Sequence, residues 1–286
     1  MPTNDPRPTK AQRRDDARVQ ALKLREEQKK REKRNRFIAI GGLGAALAVL
    51  IFVVVTILSH ASPTTSASDA AYTGDEQTLA DVKTPSTAQE NGGIPVAASG
   101  DAGSTAENGT VVDVYLDYMC PVCGQFEDGN GAQLAALRDE GDVTVVYHPI
   151  SILDRLSNGT EYSTRAANAA AAVADLAPEK FVAFSDALFA NQPEENTDGL
   201  SDEQIADIAK EVGVPDDVVA VFTETDGDNP WRVYAPYVSA LTLQADEDLD
   251  KVQTPTILIN GTPLDTKTYN WTIDGKLTEA VRAAQG

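Results

Sequence analysis

Residues 111–123 read VVDVYLDYMCPVC. Val111 to Leu116 is β-branched and aromatic and follows the turn pair Asn108-Gly109, which is the pattern of a strand. Cys120-Pro121-Val122-Cys123 comes directly after it. Proline is favourable in the first turn of a helix, where its missing N–H has no partner to lose. The spacing of Phe126, Leu134 and Leu137 continues that helix towards Gly141, with Gly129 and Gly131 expected to weaken or kink it. Val143 to Tyr147 (VTVVY) reads as a second strand that ends at His148-Pro149.

Downstream, helical signals dominate. Thr164 to Ala177 is alanine-rich and closes at Pro178, and Glu179 to Ala190 carries Phe181, Phe184, Leu188 and Phe189 at helical spacing. Ser201 with Gln204 fits a capping box, a hydroxyl and an amide that satisfy each other's backbone donors. Pro215 to Phe222 and Trp231 to Ala245 are further helical candidates. Strand character returns at Thr256 to Ile259, followed by the turn Asn260-Gly261 and a last helix over Leu277 to Ala284. Strand, helix, strand, several helices, strand, turn, probable strand and helix make an α/β domain with helices inserted in its middle, about 163–247.

The chain has 286 residues, 44 acidic and 24 basic, for a net charge of −20. A nucleic-acid partner is not expected, because phosphate binding needs clustered Lys and Arg. The charge is uneven: residues 1–36 are strongly basic and the remainder is strongly acidic. Phe37 to Leu58 (FIAIGGLGAALAVLIFVVVTIL) carries no charge and is long enough for a single transmembrane helix. Lys29, Lys30, Arg31, Lys33, Arg34 and Arg36 before it place the N-terminus in the cytoplasm and the body outside it. A cleaved signal peptide competes with a retained anchor, but its apolar run is usually shorter and its basic stretch closer to the start. Gly42-Leu43-Gly44 lies within the span and reads as small residues for close helix packing. Residues 59–108, rich in Ser, Thr, Ala, Gly and Pro, read as a flexible linker. The division is therefore 1–36 basic tail, 37–58 membrane helix, 59–108 linker and 109–286 folded domain.

Two cysteines are too few for a disulfide scaffold. Only two histidines, His60 and His148, could join them, so neither a metal site nor a cofactor is expected. Cys120 at a helix N-terminus meets free N–H groups and the positive end of the dipole, which favour the thiolate. Cys123, one turn along, is near enough to close a disulfide with it and to resolve a mixed disulfide. Redox work by Cys120 and Cys123 is the reading. A static disulfide would constrain only a very short loop.

Asp117-Tyr118-Met119-Cys120-Pro121-Val122-Cys123, with Thr254-Pro255-Thr256 and Asn260-Gly261, resembles the DsbA-like branch of the thioredoxin superfamily. Ser163-Thr164-Arg165-Ala166-Ala167-Asn168-Ala169 and Leu188-Phe189-Ala190-Asn191-Gln192-Pro193 look like the helical insertion of its actinobacterial, membrane-anchored members. The resemblance covers about 109–286 and implies a thioredoxin-like fold. It also implies a cis Pro255 against the cysteine pair and a Thr254 backbone that offers hydrogen bonds to an extended substrate. Pro121 and Val122 then belong to the active-site neighbourhood. Many members carry an acid six residues before the first cysteine, where this chain has Val114. Asp113 should face the other side of the strand, and Asp117 is left either to relay the resolving thiol's proton or to cap the helix region. His148 reads as a structural histidine or a neighbour of the pair. The Asn108, Asn158, Asn260 and Asn270 sequons read as turns, and the Asp246–Asp250 acids as a solvated turn.

The resemblance implies an outward-facing protein thiol–disulfide oxidoreductase that inserts disulfides into exported proteins and is reoxidised by a membrane partner. Two rivals stand beside it: a reductase or isomerase of the same fold, and a redox-silent interaction module anchored in the membrane.

Overall fold

A computed structural model of the chain describes residues 77–225 and 231–286. The basic tail and the apolar segment 37–58 lie outside the described residues. Among the described residues no helix is long and apolar enough to cross a membrane.

Five strands form one sheet in the order β1-β3-β2-β4-β5: β1 (Ile94–Val96), β2 (Thr110–Leu116), β3 (Val143–Pro149), β4 (Thr256–Ile259) and β5 (Thr262–Pro263). The strands β2 and β3 are parallel, with Thr110 opposite Val143 and Leu116 opposite Pro149. A parallel pair needs a crossover, supplied by α1 (Pro121–Asp139). The other pairings, β1 with β3, β2 with β4 and β4 with β5, are antiparallel. Strand β3 is buried at every position and β2 at all but one, as expected for central strands covered on both faces. Gly129 and Gly131 do not interrupt α1.

Among the described residues, five α-helices occupy the interval between β3 and β4: α2 (Tyr162–Leu176), α3 (Phe181–Ala190), α4 (Asp202–Glu211), α5 (Asp216–Ala220) and α6 (Ala235–Asp248). The final helix is α7 (Lys276–Gln285). Helix α2 is the axis of this insertion, buried from Tyr162 through Ala174. Its alanines leave room for neighbours on every side, and it contacts α3, α4, α5 and α6. In the middle of the alanines, Asn168 is satisfied by the backbone of its neighbours: its amide donates to the Phe222 carbonyl (3.0 Å) and its oxygen accepts from the Tyr234 N–H (2.9 Å). The Ser201–Gln204 capping box at the start of α4 forms with both of its hydrogen bonds.

The flexible linker expected through residue 108 requires correction. Residues 77–108 are laid onto the folded body, and Ile94, Pro95 and Val96 form the edge strand β1, fully buried. The Tyr237 hydroxyl donates to the Gly92 carbonyl (2.6 Å), the Ser86 N–H to Asp175 (2.7 Å) and the Ala102 N–H to the Pro178 carbonyl (3.0 Å). Gly93 has to be glycine for β1 to seat, because a Cβ there would come within 2.5 Å of the His148 ring and of Val146. A three-residue strand shows no period, and the segment is held largely by backbone hydrogen bonds that composition does not reveal.

Candidate active site: a cysteine pair at the mouth of α1

Strand β2 ends at Leu116, and the chain turns through Asp117, Tyr118 and Met119, with the Cys120 N–H donating to the Asp117 carbonyl (2.9 Å). Cys120 is the N-cap of α1, in an extended conformation (φ −76°, ψ 113°), and Pro121 opens the first turn. Its carbonyl accepts from the N–H groups of Cys123 (2.9 Å) and Gly124 (3.2 Å). Pro121 and Val122 are exposed beside it, whereas Cys123 is covered. Both cysteines are free thiols.

The two thiols are driven apart electrostatically. The pKa of Cys120 is lowered to about 6, first by a hydrogen bond from the Cys123 thiol, then by the Thr254 side chain and by backbone N–H groups of the first turn, against the opposing effect of burial. Cys123 is pushed well above its ordinary value, chiefly by burial and further by the neighbouring Cys120 and Asp117 charges. The outer sulfur is thus an anion near neutrality, while the inner one keeps its proton. The thiolate is the nucleophile in thiol–disulfide exchange, so the pair has a built-in attacking and resolving member.

The loop before β4 meets this mouth from the other end of the domain. Thr254–Pro255 is a cis peptide, and the Thr254 carbonyl oxygen lies 3.3 Å from Cys120 Sγ. As an acceptor it can hold only the protonated sulfur. Thr254 and Pro255 are half-buried, and β4 starts one residue later, with Thr256 opposite Tyr115. The structure therefore brings Cys120, Cys123, Pro121, Val122, Thr254, Pro255 and Asp117 into one neighbourhood.

Asp117 is completely buried and accepts three hydrogen bonds, from the Met119 N–H (2.9 Å), the Leu153 N–H (2.9 Å) and the Ser163 hydroxyl (2.6 Å). Burial raises its pKa to about 7 despite those donors. It ties the corner before α1 to the start of α2. His148 stands apart from the cysteines: its Nε2 lies 3.0 Å from Asp113 Oδ1 and its ring stacks on Tyr115 at 4.1 Å. Asp113 therefore serves the buried histidine, on the face of β2 opposite Val114.

One residue of the site carried no role in the sequence reading. Gln192, just beyond α3, donates from its side-chain amide to the carbonyls of Tyr118 (2.9 Å) and Cys120 (3.0 Å). The available signal was the LFANQP segment, which marked a likeness but not a contact.

A family model described as Thioredoxin matches residues 103–274. The chain belongs to the thioredoxin family. Within it, this thioredoxin-family chain falls in the DsbA-like branch of thiol–disulfide oxidoreductases. It is 30% identical to oxidised DsbA from Mycobacterium tuberculosis, with a TM-score of 0.51 over 67% of this chain and 99% of that one. It is 29% identical to reduced DsbG from the same organism, with a TM-score of 0.55 over 70% and 90%. BdbD from Bacillus subtilis shares the fold, with a TM-score of 0.54 at 19% identity over 72% and 98%. A 108-residue stretch is also 32% identical to the serine/threonine-protein kinase PknE of Mycobacterium tuberculosis, and covers 36% of this chain and 19% of the kinase. The chain thus spans about a fifth of that curated relative's length.

Proposed function

We propose that this thiol–disulfide oxidoreductase works as an oxidase of protein thiols outside the cytoplasm, anchored by residues 37–58. The observation that carries the direction is the stabilised Cys120 thiolate beside a protonated, covered Cys123. Whatever stabilises the reduced pair makes its disulfide a stronger oxidant.

In this reading the Cys120–Cys123 disulfide is the resting oxidant. A client thiolate attacks Cys120 Sγ, the intramolecular S–S bond breaks, and Cys123 leaves and takes up a proton. A second client thiolate attacks the client sulfur of the mixed disulfide and expels Cys120 as its stabilised thiolate. The client gains a disulfide, and the pair gains two electrons and one proton, the latter on Cys123. Burial of Asp117 next to Cys123 suits it to pass that proton. The electrons then leave to a membrane-borne disulfide or quinone-linked reoxidant. The Thr254 backbone at the mouth, ahead of β4 and outside its pairings, suits an extended client segment that hydrogen-bonds to it. Extracytoplasmic placement rests on the charge-free span and the basic residues before it.

Equilibration of the full chain with glutathione buffers tests the direction. A reduction potential well above that of thioredoxin, about −270 mV, supports the oxidase, and a value near it supports the reductase. A Cys123→Ser variant should accumulate client adducts through Cys120, and recovery of no adduct under oxidising or reducing conditions would overturn both.

A further inference from the structure

The corner between β2 and α1 contains a carbonyl with no backbone partner among the described residues. Tyr118 is 1% exposed and sits in the middle of the turn closed by the Cys120 N–H and the Asp117 carbonyl. A buried carbonyl needs a donor, and the donor is the Gln192 amide at 2.9 Å. The second hydrogen of the same amide reaches the Cys120 carbonyl at 3.0 Å. One side chain from the helical insertion therefore pins the carbonyls on both sides of Met119.

This contact explains a residue that helix propensity disfavours. Gly124 stands in the first turn of α1, where glycine costs about 0.5–1 kcal/mol relative to alanine. A Cβ at that position would come 2.6 Å from Gln192 Oε1, too close for both to stay. The backbone there is ordinary helix, so an alanine would meet no conformational obstacle and would displace only the end of the glutamine.

We infer that Gln192 is a positioning residue for Cys120, acting through the Tyr118 and Cys120 carbonyls, and that Gly124 is glycine in order to admit its amide. The inference deepens the reading of Cys120 as the nucleophile and rests on it. By holding the Cys120 carbonyl, which also accepts from Cys123 and Gly124, Gln192 fixes the direction of the first-turn N–H groups relative to the sulfur. Those N–H groups stabilise the thiolate. Loss of the clamp lets the turn relax and weakens that stabilisation.

The test uses four forms of the full chain: wild type, Gln192→Leu, Gly124→Ala and the double variant. Each is reduced, and the pH profile of iodoacetamide modification at Cys120 is followed by mass spectrometry. The midpoint should rise by about half to one pH unit in Gln192→Leu. Gly124→Ala should show the same rise although it favours helix formation, which separates positioning from a general loss of stability. The double variant should match either single one, because both remove one contact. An unchanged midpoint in either single variant, or additive shifts in the double, overturns the inference. Failure of the wild type to oxidise a reduced client protein would instead remove the proposed direction of electron flow and leave these midpoints readable.

Discussion

Cys120 Sγ lies 3.3 Å from the carbonyl oxygen of Thr254, a residue 134 positions later in the chain. The two meet because β2 and β4 are neighbours in the sheet, with Tyr115 opposite Thr256. The nucleophile thus has the helix mouth on one side and a backbone edge on the other, and a visiting sulfur has to enter between them. Cys123 lies deeper and has no such access. At pH 7 iodoacetamide should modify Cys120 and spare Cys123 in the reduced protein, and the rate should fall as pH drops through about 6. Peptide mapping by mass spectrometry reads both, and equal labelling of the two cysteines would contradict the asymmetry.

The same asymmetry has a signature in stability. Cys120 titrates near 6 in the folded chain and near ~8.5 once unfolded. Between those values the unfolded state binds more protons, so the stability of the reduced form should rise with pH across that window. This gain is fully present above the unfolded value and is lost as pH falls through 6. Above the unfolded value Cys123 opposes it, since its raised pKa keeps the proton on the folded state. Asp117 contributes a slope of opposite sign: with its folded pKa raised to about 7, the folded state holds the extra proton, so stability falls as pH rises from the ordinary carboxylate range to 7. That slope is shared by the oxidised form. Denaturant titrations of both redox forms at a series of pH values should therefore show the reduced-minus-oxidised difference growing from pH 6 to 8. A flat difference would refute the shifted Cys120.

Asp117 holds three donors with two oxygens. An Asp117→Asn variant keeps one oxygen for the Met119 N–H and the Ser163 hydroxyl and turns its amide towards the Leu153 N–H. That leaves a buried donor facing a donor, a loss of about 1–3 kcal/mol. Urea unfolding should show this loss, and oxidation of a dithiol substrate should slow as well if Asp117 passes the Cys123 proton. A variant as stable as wild type would disprove the hydrogen-bond account.

Gly93→Val probes the edge of the sheet. The new side chain would collide with His148 and Val146 and push β1 off β3, a cost of about 1–3 kcal/mol or more for overpacking. Hydrogen exchange should speed up at the amides of β1 and β3 while α7 stays protected. Unaltered exchange in β1 would mean that residues 77–108 are not integral to the body.

The central strands, the cysteine helix and the Ser201 cap were legible because each carries its own local signal: a β-branched run, a proline in the first turn, a hydroxyl three residues before a glutamine. The edge strand β1 was not, since Ile94-Pro95-Val96 has no period of its own and becomes a strand only by pairing with Val145, Val146 and Tyr147. The site divides in the same way. Cys120 and Cys123 announce their chemistry by type and spacing, whereas the place of Pro255 beside them came only through likeness to a family, and the contact of the Thr254 carbonyl with Cys120 Sγ only from the fold. The role of Gln192 came through neither, because an amide reaching two carbonyls more than seventy residues away leaves no trace in composition. Asp117 was visible as a candidate, but its burial against Ser163 and Leu153 depends on where the helical insertion lands.

At the opposite border of the sheet, β5 is two residues long, exposed, and ends in Pro263, which faces Leu258. Proline has no N–H to offer, and so short a strand leaves almost no ladder for a stranger to extend. Under the proposed function the chain meets unfolded clients, which could use an open sheet edge as a template. Here the outer border is blunted against fibre-like stacking, which leaves the backbone of Thr254, beside Cys120, as the docking place that the proposed function requires.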